Sequence, residues 1–145
     1  MDILKILHSV PIFSGLNTTL IQKILPLLKN EEFPKNSKII EEGSIGDSMY
    51  IILNGSVRVT KYGHNNQEIL ISSMGSGSYF GELSLVDRLP RSANVTTNTD
   101  SILLALRRDS FERLLEENKD FAINFYKNCM METMSRIRET ASNLT

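Results

Sequence analysis

The segment YFGELSLVDRLPRSANV, residues 79–95, sets a carboxylate, Glu82, and a guanidinium, Arg91, into a largely apolar run. A charge removed from water is costly unless something compensates it. Two compensations fit these residue types: a structural ion pair between Glu82 and Arg91, or a guest that takes one charge on each side. Gly81, directly before the acid, permits close backbone approach. Residues 82–86 suit a single helical turn, whose first N–H groups, on Leu83 and Ser84, lack an internal partner and favour an anion. The fork of Arg91 suits a phosphate held by two parallel hydrogen bonds.

Glu82 would repel such an anion unless it faces a hydroxyl, and a carboxylate accepting from a ribose hydroxyl is established chemistry at nucleotide sites. A guest with a phosphate and a ribose hydroxyl close together is a cyclic nucleotide. Spacing leaves the ion pair and the guest equally open. Catalytic readings find less support. His8 and His64 are the two histidines, and no His or Cys pair has metal-ligand spacing. No Gly-x-Ser-x-Gly elbow and no phosphate loop occurs, and Gly75-Ser-Gly77 lacks the third glycine of a dinucleotide fingerprint. The expectation is a protein that is not an enzyme and holds no metal.

Something must position that segment. The 145 residues, 41% hydrophobic and 23% charged, suit one domain with its own core. A net charge of −1 offers no field for nucleic acid. Cys129, the single cysteine, excludes an internal disulfide and fits a reducing compartment. The opening MDILKILHSVP carries Asp2 and Lys5 within a short apolar run and reads as an amphipathic helix, not a signal peptide. No apolar stretch is long enough to cross a bilayer, so the expected location is cytoplasmic.

Residues 1–30 carry helical periodicity, with Thr18 or Thr19 as a cap, Leu20, Ile21, Ile24, Leu25 and Leu28 on one face, and Pro26 set to shorten the helix. Residues 31–107 alternate short β-rich runs (KIIEE, MYIIL, SVRVT, EILISS, ANVTT, SILLAL) with turn chemistry, including Asn54-Gly55, read as a hairpin, and Gly75–Gly77, read as another. The fold class expected is mostly β with flanking helices: an antiparallel β-roll or jelly-roll barrel, N-terminal helices and a long C-terminal helix. Asp109 is the expected cap of the helical region 109–141. There Ile123, Tyr126, Met130, Met134, Ile137, Ala141 and Leu144 form a coiled-coil-like stripe, and Phe121, Phe125 and Cys129 a second face suited to packing on the barrel. The stripe suits either a homodimer or packing on the chain's own barrel.

The stretches VPIFSGL (10–16), IIEEGSIGDSMYIILNGSVRV (39–59) with Gly43, Gly46 and Gly55 at turns, and FGELSLVDRLPRSANV (80–95) together resemble the cyclic nucleotide-binding domain. That family includes catabolite activators, regulatory subunits of cAMP-dependent kinases and nucleotide-gated channels. The likeness covers nearly the whole chain as one domain, and 80–95 is similar to the family's phosphate-binding cassette without insertion or deletion. The resemblance implies that Glu82 accepts the ribose 2′-hydroxyl, Arg91 pairs with the cyclic phosphate, and the N–H groups of Leu83 and Ser92 complete the cradle. It further implies that Gly81 lets the ribose lie close and that Val59 and Ile71 line the pocket. Ser92, where some guanine-binding members carry Thr, inclines the ligand to cAMP, with cGMP open. Phe125, Asn128, Cys129 and Glu132 are the candidates to cap the base from the C-terminal helix. The implied protein is a regulatory module, stand-alone or part of something larger, signalling through that helix to an unknown downstream protein, with no membrane and no direct nucleic-acid contact. The rival reading is a nucleotide-free barrel kept as a protein-interaction scaffold.

Overall fold

A computed structural model describes residues 3–143; Asp2 of the opening run and Leu144 of the stripe lie outside the described residues. Helix α1 (Ile3–Ser9) leads through a 3-10 turn at Pro11–Phe13 to α2 (Thr18–Ile24). The α2 cap is Asn17, whose side chain accepts from the Leu20 N–H at 2.9 Å, and not Thr18 or Thr19. An Asn at this position leaves both threonines inside the first turn. Pro26 acts as expected: α2 stops at Ile24 and a 3-10 turn, Leu25–Leu27, follows.

Eight strands follow: β1 (Lys29–Phe33), β2 (Lys38–Ile40), β3 (Ser48–Asn54), β4 (Ser56–Tyr62), β5 (Glu68–Gly75), β6 (Tyr79–Phe80), β7 (Asn94–Thr97) and β8 (Ser101–Arg107). They form two antiparallel four-stranded sheets, ordered β1-β8-β3-β6 and β2-β7-β4-β5. The continuous apolar run of β3 has a physical reason: both faces are covered. Met49, Ile51 and Leu53 meet the helices, while Ile52 meets Ile40, Val57, Phe80, Val95 and Leu103 between the sheets.

The Asn54-Gly55 pair is not a hairpin. It is a corner where the chain leaves the β3 sheet for the β4 sheet, and the two strands do not pair. Gly55 has φ +118°, and a Cβ there would stand 2.2 Å from Ser101 Oγ and 2.8 Å from Ser101 Cα. Gly75–Gly77 likewise carries the chain from β5 to β6 in the other sheet. The true hairpin joins β4 to β5 around 63–67, where the Gly63 N–H donates to Gln67 O at 2.8 Å.

Between β6 and β7 sits a short helix, α3 (Glu82–Asp87). After β8 come α4 (Arg108–Glu117) and the 25-residue α5 (Lys119–Asn143). The residue capping α4 is Arg107, not Asp109; the Asp109 carboxylate instead accepts from the adjacent Ser110 N–H. Phe121 and Phe125, one turn apart on α5, are buried against Phe13 and Phe111, with the Phe111 and Phe125 rings edge to face at 4.8 Å. The stripe does not pack on the barrel: Ile123, Tyr126, Met130, Met134 and Ile137 are all exposed. No described helix is long and apolar enough to cross a membrane.

Candidate nucleotide site

The site is built where α3 meets the inner face of the β4 sheet. Gly81 precedes α3 with φ +86°, and a Cβ there would lie 2.9 Å from Arg91 Nη1 and 3.1 Å from Ser48 O. Glycine is therefore required twice over, by backbone conformation and by space. Arg91 runs through the gap: Nη1 donates to Gly81 O at 2.8 Å and Nη2 to Ser48 O at 2.5 Å. Its backbone is held as well, with its N–H on Ser44 O at 2.7 Å and its carbonyl accepting from the Gly43 N–H at 2.8 Å. Gly46 makes room for the same side chain, since a Cβ there would fall 2.1 Å from Arg91 Nε. Gly46 and Gly81 thus both make room for Arg91, a link that their positions in the sequence do not reveal.

Arg91 is only 7% exposed. Burial pushes its pKa down, with Tyr50 and Asp47 acting in the opposite sense, and an arginine remains charged regardless. Burial pushes the Glu82 carboxyl up; its own backbone N–H and Arg136 oppose this, and Glu132 adds to it. The Glu82–Arg91 ion pair left open by spacing does not form: the ion pairs among the described residues are Lys38–Glu68, Arg88–Glu112 and Arg107–Asp109.

Glu82, Arg91, Gly81, Leu83, Ser92 and Val59 all line one cavity of about 280 Å³. Ile71 does not. The β4–β5 register slips between Val59 and Thr60, so Val59 faces Ser72 and Thr60 faces Leu70. Ile71 is the extra residue of this bulge, turned to solvent and 57% exposed. Ser72 and Met74 occupy the wall instead.

Helix α5 closes one side. Arg136 lines the cavity, and Glu132 accepts a hydrogen bond from the Tyr79 hydroxyl. Burial, then Glu132, raises the Tyr79 pKa. Burial, with Glu82 and Glu132 contributing, pushes the half-buried Cys129 thiol up to about 11. Of the four capping candidates, Phe125 belongs to the core and Asn128 donates to Ser14 O at 3.0 Å, away from the cavity. Sequence reasoning missed Arg136. Its spacing of one helical turn beyond Glu132 was the available signal. No group of three or more His, Cys, Asp or Glu able to hold a metal exists among the described residues.

Comparison with known proteins places the fold in a family. The family model for the cyclic nucleotide-binding domain matches residues 30–118. A CRP-like cAMP-activated global transcriptional regulator of Mycobacterium tuberculosis is 29% identical over 140 residues, 97% of this chain and 61% of that protein. The catabolite activator protein of Thermus thermophilus superposes with a TM-score of 0.79 at 28% identity, covering 92% of this chain and 61% of that one. The regulatory domain of Toxoplasma gondii PKA, co-crystallised with cAMP, gives 0.72 at 28% identity, over 75% of this chain and 41% of that one. The chain thus spans under two thirds of each of these relatives. With the matched family model covering most of its length, the chain belongs to the cyclic nucleotide-binding domain family.

Proposed function

We propose that the cavity takes cAMP and that its occupancy is transmitted through α5. The observation that carries this reading is that Glu82 and Arg91 line one cavity without pairing with each other. A buried cation whose protein partners are two neutral carbonyls still favours an anion, and a partly buried carboxylate favours a hydroxyl donor over a second negative charge. The Arg91 fork meets the cyclic phosphate, and the N–H groups of Leu83 and Ser92 complete the cradle. Glu82 accepts from the ribose 2′-hydroxyl, Gly81 lets the sugar approach, and Val59 packs against the ring system.

Helix α5 brings Arg136 to the cavity wall, and one turn earlier its Glu132 holds the hydroxyl of Tyr79, another lining residue. A ligand that favours one placement of this helix over another shifts the population of the two. Function by this route is binding and relay, with no chemical step.

Calorimetry with cAMP and cGMP tests the reading. Micromolar binding of cAMP, weaker binding of cGMP and loss of both in Arg91→Ala are the expected results. Silence from both nucleotides, in folded protein shown to be ligand-free, would leave the interaction scaffold in its place.

A further inference from the structure

We propose that Arg108, which holds the Ser84 carbonyl of α3 from the start of α4, is a positioning residue for nucleotide capture. The inference rests on reading the cavity as a nucleotide site. Its starting point is that α3 has little stability of its own. Six residues are about one and a half turns, too short to persist unaided. The helix begins at a glycine that makes no side-chain cap and ends at Arg88 in the left-handed region, φ +58°. Its direction, and so the aim of the Leu83 and Ser84 N–H groups, is set by contacts from outside.

Two arginines supply those contacts. Arg91 holds the carbonyls of Gly81 and Ser48 from the cavity. Arg108, the first residue of α4, donates from Nη2 to Ser84 O at 2.6 Å, and its backbone N–H donates to Asp47 O at 2.7 Å. The Ser84 carbonyl also accepts from the Arg88 N–H at 3.1 Å, so Arg108 anchors the same oxygen on which the helix closes. Glu112 of α4 pairs with Arg88 at the same end. An anion in the cavity competes with the two carbonyls for the Arg91 fork. The Arg108 bond to the Ser84 carbonyl is not part of that exchange, so it keeps α3 in register while Arg91 changes acceptor, and the Arg108 charge also acts on Arg91. The Arg108 Nε is buried with no acceptor among the described residues. A buried donor in that state is costly, and its N–H resonance is sensitive to any movement of α3 beside it.

The test is cAMP calorimetry on the wild-type protein, Arg108→Ala and Arg108→Lys, each checked for folding and assayed well below its melting temperature. Loss of a hydrogen bond from a charged donor predicts binding about tenfold to a hundredfold weaker in Arg108→Ala. The lysine variant, whose ammonium still reaches one carbonyl, should recover part of the loss. A residue that only stabilises the fold would lower the melting temperature and leave the affinity of the folded protein unchanged, so an affinity within threefold of wild type overturns the proposal. If Arg108→Ala does not fold, the Arg108 Nε–H resonance of the wild-type protein decides. It should shift as cAMP saturates the protein, and a resonance that stays in place overturns the proposal. A wild-type protein that binds no nucleotide overturns the reading of the cavity instead, which separates the two failures.

Discussion

Arg91 and Glu82 respond to burial differently. Burial is the largest influence on both, but Arg91 stays charged on its two carbonyl acceptors, whereas at Glu82 the nearby Glu132 adds to burial and Arg136 and Arg91 oppose it. A carboxyl whose pKa is raised on folding contributes stability that is fully present below its unfolded pKa and is lost as pH rises through the folded value. The ligand-free protein should therefore lose stability as pH climbs from the ordinary glutamate range through the raised value of Glu82. Glu82→Gln removes that loss. Thermal melts of both proteins across the acidic range should diverge with rising pH, the variant becoming the more stable, while its affinity for cAMP falls. Parallel melting curves would show that the burial of Glu82 has no energetic consequence.

Among the elements, the corner at Gly55 shows what local patterning conveys and what it misses. Asn-Gly between two β-rich runs signals a turn, and the chain does turn from one sheet to the other there. Whether the strands then pair depends on their partners, which are β8 and β6 for β3 and β5 and β7 for β4. Gly55→Ala meets both a positive φ and the Ser101 backbone. It should cost roughly 1–3 kcal/mol, read as a lower urea midpoint with unchanged slope. The same distinction runs through the site. Gly81, Glu82, Leu83, Arg91 and Ser92 lie close in sequence, so their clustering was legible there. Val59 lines the cavity, whereas the bulge that turns Ile71 away from it depends on register and leaves no mark in the run EILISS. Arg136 and Arg108 reach α3 and the cavity from helices distant in sequence, and only the packing of those helices brings them there. Strand β1 escaped notice because KNEEF is charged, as sheet-edge strands commonly are.

For the molecule as a whole, the notable surface is α5. Phe121 and Phe125 fasten its first turns to the core, and beyond them Met130, Met134 and Ile137 remain 63%, 47% and 62% exposed, more apolar surface than a lone helix commonly presents. The expected occupant of this stripe is the stripe of a second copy. Sedimentation should show a dimer that Ile137→Glu drives towards monomer, since a buried carboxylate opposes such a seam. A monomer at every concentration, with and without cAMP, would remove the dimer from the account.

The two carbonyls that hold Arg91 bear on the speed and selectivity of capture. A long cationic side chain free in solvent has about 2 kcal/mol of rotamer entropy to lose on immobilisation. Here that loss is already incurred when the chain folds, and an arriving guest finds a rigid cation. On the proposed reading of the cavity, capture is an exchange of one set of acceptors for another, which penalises anions unable to replace both oxygens at once.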